Sequence, residues 1–254
     1  MAIKLGNIDI TNLYLGNNLI NKAYLGAALI WEEASALVSD GLVLHLDASK
    51  TASYPGTGNT WFDIAGTEEN GDIKSGVTYD AVDGGVMSFN GSSTGYVDIS
   101  DSPTMAVGTG AFTVEMFVYY TNPYGFFSSA GSGGTGGIYG IAINSDKCWV
   151  GNSEDLNNSI PTSISTSTWV HLVYKRSADG LTTTLLINGT ETGSATEATA
   201  FDIVSTSSKI SARYNNNFIY GFMGKMGEFR FYTKELTNTE VQDNFNANRV
   251  RYGI

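Results

Sequence analysis

A long succession of short apolar segments, each followed by Gly, Asn, Asp or Ser, limits how this sequence can fold. Between Gly41 and Lys234 no stretch keeps an apolar period of 3.6 residues, which excludes a helical bundle. Residues 112–119 instead alternate between apolar and polar positions over much of their length. Charged residues make up only 15% of the chain, against a usual share of about 25%. We therefore predict an all-β fold, in which two packed antiparallel sheets form a jelly-roll sandwich.

The predicted strands share an apolar or alternating pattern and are bounded by turn residues. They cover residues 42–47, 88–91, 95–99, 111–119, 137–143, 147–150, 169–175, 182–187, 210–213 and 224–232. Asn188-Gly189 predicts a tight two-residue hairpin turn after the eighth of these strands.

One short helix is predicted near the C-terminus. Thr237 and Glu240 have the spacing of a capping box, in which each side chain accepts a hydrogen bond from the other residue's free N–H. Val241 and Phe245 lie four residues apart on one face of that helix, and we expect this face to pack on a sheet.

The first 34 residues contain a ten-residue repeat. Leu5-Gly6-Asn7, Leu15-Gly16-Asn17 and Leu25-Gly26-Ala27 occupy equivalent positions. Strands joined by Gly-Asn turns predict a small β-meander, which is too small to bury a core alone. We therefore divide the chain into an assembly or anchoring arm at 1–34 and a jelly-roll domain at 35–254; the alternative is that the arm only caps the domain. The predicted assembly residues are Tyr14, Leu15, Tyr24, Leu25 and Trp31.

The charge of the chain limits its partners. The formal net charge of −11 disfavours binding to nucleic acid, which needs a basic surface. Residues 209–254 differ from the rest, with seven basic against four acidic residues, and could form a basic edge that docks on an acidic neighbour. No apolar run approaches 18 residues and no signal sequence follows Met1, so we expect no membrane insertion and no secretion from the cytoplasm where the chain is made.

Several segments resemble the laminin-G-like, concanavalin A-like domain family. They are Leu42-Val43-Leu44-His45-Leu46-Asp47-Ala48, residues 53–56, 60–63, 84–91 and 96–99, Phe112-Thr113-Val114-Glu115-Met116-Phe117-Val118, residues 168–174, 186–189, and 222–232 with 236–245. The form of the domain is similar to those of tailed-phage structural proteins, and the Tyr-Leu-Gly repeats and residues 244–253 also resemble segments of such proteins. This resemblance implies a virion component on a tail, a fibre or the capsid surface. Its partners would be other virion proteins and further copies of itself, as a trimer if it forms a fibre.

The sequence predicts no enzyme. Glycan hydrolases of this fold class carry Glu-x-Asp-x-x-Glu on one strand, and that spacing does not occur here. His171 is expected to be a packed, hydrogen-bonded core residue and Cys148 a buried, inert thiol. Calcium is the one cofactor left open, because acid-rich loops can supply its oxygen ligands. The candidate ligands are Asp98, Asp101, Glu154 and Asp155.

Carbohydrate binding is the alternative function, that of an adhesin recognising host surface glycans. Sugar rings stack on exposed Tyr or Trp, and loop Asn side chains bind their hydroxyl groups. The candidates are Tyr124, Trp149, Asn152, Tyr214, Asn215, Asn216 and Asn217. The competing interpretation places Trp149 in the core and treats the Asn run as a turn.

Overall fold

In the part of the chain that the structure describes, the fold is an all-β sandwich of two large antiparallel sheets with one α-helix at the C-terminal end. The computed structural model describes residues 36–99, 103–122, 160–162, 164–200, 202–203, 208–211 and 221–254, and the backbone of the further strands named below.

Six strands of the arm come first in the chain. They are β1 (Ile3–Leu5), β2 (Ile8–Ile10), β3 (Leu13–Leu15), β4 (Asn18–Ile20), β5 (Lys22–Leu25) and β6 (Ala28–Glu32). These strands pair as β1–β2, β3–β4 and β5–β6, so each repeat pairs two strands of its own as a hairpin. The predicted meander was wrong in its pairing, because ten residues hold a complete hairpin and each repeat therefore pairs with itself.

Eighteen strands follow. They are β7 (Leu42–Asp47), β8 (Thr60–Trp61), β9 (Gly71–Ile73), β10 (Val77–Asp80), β11 (Val86–Asn90), β12 (Val97–Ser100), β13 (Phe112–Asn122), β14 (Gly125–Ala130), β15 (Ile138–Asn144), β16 (Lys147–Asn152), β17 (Ser159–Pro161), β18 (Trp169–Arg176), β19 (Thr182–Ile187), β20 (Thr190–Thr196), β21 (Ser207–Ile210), β22 (Arg213–Asn215), β23 (Phe218–Tyr220) and β24 (Met223–Tyr232). The helix α1 covers Asn238–Tyr252, and short 3-10 turns occur at Val82–Gly84 and Pro103–Met105.

The two sheets have eight strands each. The first sheet has the order β10-β11-β24-β13-β18-β19-β20, with β7 also paired to β24. The second sheet has the order β17-β16-β15-β14-β21-β12-β9-β8, and β22 pairs with β23 outside it. β13 lies in the interior of the first sheet, between β24 and β18.

The main core lies between the sheets. Alternate residues of β13, such as Val114 and Met116, meet Val97 and Ile210 of the second sheet, and all are essentially inaccessible to solvent. The opposite face of the first sheet is covered by α1, whose Val241 packs with Val173. Because both faces are covered, β13 is buried along seven consecutive residues.

The capping box at the start of α1 is confirmed. The Glu240 N–H donates to the Thr237 hydroxyl at 3.2 Å, and the Thr237 N–H donates to the Glu240 carboxylate at 2.8 Å. Val241 and Phe245 are both buried, as their spacing predicted.

A bulge in β24 accommodates the other end of α1. Phe117 pairs with Glu228 while Val118 pairs with Met226, so Gly227 is the extra residue. The phenol of Tyr252 lies directly over Gly227, in space that a Cβ atom would fill.

Turn chemistry explains one success and one error of the strand predictions. Asn188 and Gly189 both have positive φ, 51° and 76°, as a tight hairpin turn of this type requires. The predicted strand at 210–213 is interrupted because Ser211 has a φ of 62°, which ends the extended backbone of β21.

None of the helices in the described part of the chain has the length and apolar character needed to span a bilayer.

Candidate functional site

A surface cleft of about 430 Å³ lies where the chain crosses from β9 of the second sheet to β10 of the first. Tyr54 and Tyr79 form one wall, with ring centroids 5.0 Å apart and planes inclined by 39°. We call this the tyrosine cleft. Its volume is within the range of ligand sites for small molecules, about 300–1,000 Å³.

The loop before β8 fixes the position of Tyr54. The Tyr54 N–H donates to the Lys50 carbonyl at 2.7 Å, and its hydroxyl donates to the Gly58 carbonyl at 2.9 Å. The residue is only 6% exposed, and burial, with a smaller contribution from Tyr79, raises the pKa of its hydroxyl. Tyr54 therefore forms a rigid, neutral wall.

The rest of the lining combines an apolar base with a polar rim. Ile73 and Val77 supply apolar side chains, while Asn59, Ser75 and Thr78 are exposed at the rim. Aromatic and aliphatic walls with a few hydroxyl and amide groups are the usual composition of a site for a small polar ligand such as a sugar.

Glycine leaves one side of the tyrosine cleft open. Gly56 and Gly58 have φ values of 90° and 98°, and a Cβ atom at either position would meet nothing within 4 Å. A linear ligand can therefore extend past this loop.

A second group of polar residues lies between the first sheet and α1. We call it the buried charge network; its members are His45, Asp47, Glu115, His171, Glu228 and Arg230, all buried.

Arg230 is the centre of this network. Its guanidinium bridges Glu115, at 3.2 Å, and Glu228. His45 Nε2 lies 2.7 Å from Glu228 Oε1, and His171 Nε2 lies 3.5 Å from Glu115 Oε1. Burial alone would raise the pKa of Glu228, but Arg230 and the His45 hydrogen bond outweigh it and lower the pKa to about 2.

His45, Asp47 and Glu228 have ligand atoms within 4.8 Å of one another, the spacing of a metal site. Asp47 Oδ1 already accepts a hydrogen bond from Arg251 Nη1 at 2.7 Å, and Glu228 contacts Arg230. Because two guanidinium groups adjoin these ligands, a metal ion there would be repelled. The network therefore fits a structural role. The expected packing of His171 is confirmed, because the residue is fully buried and stacked on Phe117. The expected hydrogen bond was wrong: neither ring nitrogen has a hydrogen-bond partner among the described residues, since Glu115 Oε1 is 3.5 Å from Nε2.

Four of the predicted sugar-binding residues fall on strands that do not line the tyrosine cleft. Trp149 and Asn152 are in β16, and Tyr214 and Asn215 are in β22, which approaches the neighbouring β15. The backbone thus brings these two pairs near each other, although their side chains lie outside the described residues. Tyr124, Asn216 and Asn217 also lie outside them.

The predicted calcium ligands are only partly described. The Asp98 carboxylate accepts a hydrogen bond from Lys209 Nζ at 3.1 Å, and Lys74 Nζ lies 4.0 Å away. A calcium ion at Asp98 would therefore meet two ammonium groups. Asp101, Glu154 and Asp155 lie outside the described residues, and the calcium site stays a prediction.

The predicted assembly residues all fall on arm strands. Tyr14 and Leu15 are in β3, Tyr24 and Leu25 in β5, and Trp31 in β6; their side chains lie outside the described residues.

Sequence reasoning missed the tyrosine cleft altogether. Its walls come from residues 54–59 and 73–79, which are separated along the chain by β8 and β9. The available signal was Tyr54-Pro55-Gly56-Thr57-Gly58-Asn59, an aromatic residue followed by a glycine-rich loop ending in Asn.

A family model described as the concanavalin A-like lectin/glucanases superfamily matches residues 90–242. The residues that line the tyrosine cleft precede this range, so the match bears on the fold and not on the cleft. No curated protein sequence matches the chain.

Solved structures with the same fold include the binding domain of paraclostridial mosquitocidal protein 1, at 16% identity and a TM-score of 0.63, covering 82% of this chain and 52% of that one. A structure of botulinum neurotoxin type C, whose entry into cells depends on interaction with two ganglioside molecules, matches at 15% identity and a TM-score of 0.61, covering 83% of this chain and 52% of that one. The chain thus spans about half the length of these toxin structures.

Domain 4 of an extracellular arabinanase from Geobacillus stearothermophilus, solved with arabinotriose, matches at 19% identity and a TM-score of 0.58. Here the match covers 80% of this chain and 97% of that domain.

Proposed function

The chain belongs to the concanavalin A-like lectin/glucanases superfamily, and on that premise we propose that it is a non-enzymatic carbohydrate-binding module with the tyrosine cleft as its sugar site. The observation that carries the proposal is the cleft itself, in which two tyrosine rings form a wall beneath an amide and two hydroxyl groups. Sugar rings have apolar faces and polar edges, and such a lining complements both.

The comparisons support the same class of function. The arabinanase domain is one module of a larger enzyme and was solved with an oligosaccharide, and the toxin structures are binding domains. The glutamates most buried in the first sheet, Glu115 and Glu228, both pair with Arg230 beneath α1 and do not line the tyrosine cleft, which is why we propose binding without hydrolysis.

A glycan array tests this proposal. The full chain is applied to a broad array, and the glycans it retains are titrated against an Asn59→Ala/Thr78→Ala double variant. Loss of two hydrogen bonds should weaken binding about tenfold or more. Thr196→Ala, which removes an exposed hydroxyl from the far edge of the first sheet, is the matched control.

Two results would contradict the proposal: no retained glycan, or equal binding by the double variant and the wild type. Repeating the array in chelator tests the calcium prediction separately, since loss of binding there would place calcium in the site.

The arm supports a second candidate, that of a virion component of a tailed phage. Its three hairpins have strands of three to five residues, and an isolated two-stranded hairpin is marginally stable at best. We infer that the arm is completed by copies of itself or by another virion protein, with the jelly roll displayed outward on the particle surface or tail. This candidate is supported by the arm and its repeats. The structures compared are toxin and arabinanase domains, and they do not bear on a role in a virion.

The direction of the strands supports outward display. The arm leaves the domain at residues 36–41, which we call the arm root, where the Tyr232 hydroxyl donates to the Val38 carbonyl at 3.1 Å. Val77 of the tyrosine cleft pairs with Phe89 of β11, and Phe89 pairs with Gly224 of β24. Gly224 lies eight residues before Tyr232 on the same strand. At about 3.3 Å per residue, the cleft and the arm root lie about 26 Å apart along the strands, near opposite ends of the sandwich.

Deletion of residues 1–34 tests the second candidate. The full chain should form a homo-oligomer by light scattering and be incorporated into particles, whereas the shortened chain should be a monomer, remain unincorporated and retain its sugar binding. Incorporation of the shortened chain would rule out an anchoring arm.

A further inference from the structure

The charge around the tyrosine cleft indicates which sugars it accepts. Of the described residues that line it, Lys74 alone carries a charge at neutral pH. A lysine beside an aromatic wall would ordinarily favour an acidic sugar, because its ammonium can pair with a carboxylate.

Lys74 is already paired within the protein. Its ammonium donates to the Asp72 carboxylate, and Asp98 Oδ2 lies 4.0 Å away. The hydrogen bond from Lys74 to Asp72, together with the charges of both carboxylates, raises the pKa of Lys74 in spite of partial burial. Its side chain is 33% exposed, so the pairing occurs at the protein surface and not in the core.

The register of the second sheet makes this arrangement specific. Asp72 pairs with Asp98 across β9 and β12, and Asp98 pairs with Lys209 across β12 and β21. Lys209 donates to Asp98 at 3.1 Å, so two lysines and two aspartates form one neutral row beside the cleft. An acidic sugar would have to displace Asp72 from Lys74 and approach two aspartates on a protein of net charge −11.

We propose that the tyrosine cleft accepts neutral sugars and rejects acidic ones, and that Asp72 and Asp98 set this specificity by holding the ammonium of Lys74. The inference rests on the proposed function, since it names the class of ligand for the same site. Asp72 is the residue to change, because its side chain is 60% exposed and its replacement leaves no buried group unpaired.

The experiment compares two pairs of ligands by calorimetric titration at low salt: lactose with sialyllactose, and arabinotriose with trigalacturonate. The wild-type chain should bind the neutral member of a pair and bind the acidic member more weakly. Asp72→Asn should strengthen binding of the acidic member about threefold, the size expected for one exposed ion pair, and leave the neutral member unchanged. High salt should remove this gain.

Two further variants isolate the cause. Lys74→Gln in the Asp72→Asn background should abolish the gain, because it removes the released charge. Asp40→Asn is the matched control: Asp40 forms an exposed pair with Lys234, at 2.7 Å, near the arm root, so it changes the net charge equally without touching the cleft.

The outcomes distinguish a failure of the proposed specificity from a failure of the proposed sugar-binding function. Equal binding of acidic and neutral sugars by the wild type, or an Asp72→Asn variant with unchanged preference, overturns the specificity while sugar binding stands. Binding of no sugar by any variant overturns the proposed function and the specificity with it.

Discussion

Asn244 joins three separate parts of the molecule through one fully buried side chain. Its Oδ1 accepts from the Val38 N–H at 2.8 Å, and its Nδ2 donates to Glu115 at 2.7 Å and to the Tyr232 hydroxyl at 3.0 Å. Asn244→Ala should therefore lower the free energy of unfolding by about 3 kcal/mol, since it leaves the half-buried Val38 N–H and the buried Glu115 carboxylate each short of a partner. Chemical denaturation measures this change.

The control for Asn244 lies in the same helix. Among the described hydrogen bonds, the Asn246 side chain makes one, in which it accepts from Gln242 at 3.3 Å. Asn246→Ala should therefore lower the free energy of unfolding by less than about 0.5 kcal/mol. Similar losses for the two variants would contradict a specific role for Asn244.

Glu228 makes the fold sensitive to acid. Its pKa of about 2 in the folded protein is below the ordinary value of 4.5, so its contribution to stability is complete above pH 4.5 and is lost as the pH falls toward 2. The free energy of unfolding should decrease by up to about 3 kcal/mol across that window from this group alone.

Carbon-13 NMR of the Glu228 carboxyl group provides the residue-specific measurement. The carboxyl should remain ionised while exposed carboxyl groups titrate around pH 4, and a midpoint near 4.5 would show that Arg230 and His45 do not stabilise its charge.

The network around Asn244 and Glu228 also shows which roles of single residues can be predicted from a sequence and which cannot. His171 could be recognised as a core residue because it lies in an apolar strand. The pairing of Glu115 with Arg230 could not, because it depends on β13 and β24 being neighbours although they are more than 100 residues apart.

At the scale of elements, the bulge at Gly227 and the end of α1 depend on each other. A Cβ at position 227 would overlap the Tyr252 phenol and displace the last turn of the helix. Gly227→Ala should therefore lower the free energy of unfolding by about 1–3 kcal/mol, the usual cost of overpacking, and make the C-terminus more sensitive to protease.

A double-mutant cycle checks this interpretation. In a Tyr252→Ala background the overlap is absent, so Gly227→Ala should lower the free energy of unfolding much less there than in the wild type. Additive effects of the two substitutions would mean that Gly227 matters for its backbone alone.

The elements themselves were largely predictable, and the reason is local chemistry. The capping box at Thr237 and the Asn188-Gly189 turn involve neighbouring residues, and both were confirmed. The error at 210–213 came from Ser211, whose positive φ no local pattern indicates. The tyrosine cleft was missed because its two lining segments, residues 54–59 and 73–79, are brought together only by the pairing of β8 with β9.

At the scale of the whole molecule, the core residues that the structure describes all come after the arm. The interior between the sheets and the layer beneath α1 draw on residues from Val38 onward. Deletion of residues 1–34 should therefore change the free energy of unfolding of the jelly roll by less than about 0.5 kcal/mol. Denaturation of the full and shortened chains under the same conditions measures the difference, and a large loss would favour an arm that caps the domain.

The pairing of β7 with β24 has a mechanical consequence. The two strands are antiparallel over Leu42–Asp47 and Glu228–Tyr232, and the arm root continues directly from the Leu42 end. A force between an anchored arm and a ligand bound about 26 Å away acts along the strands. Such a force loads the hydrogen bonds between β7 and β24 simultaneously, in shear, and does not break them one after another. On the proposed function, the domain would therefore carry tension along its strands.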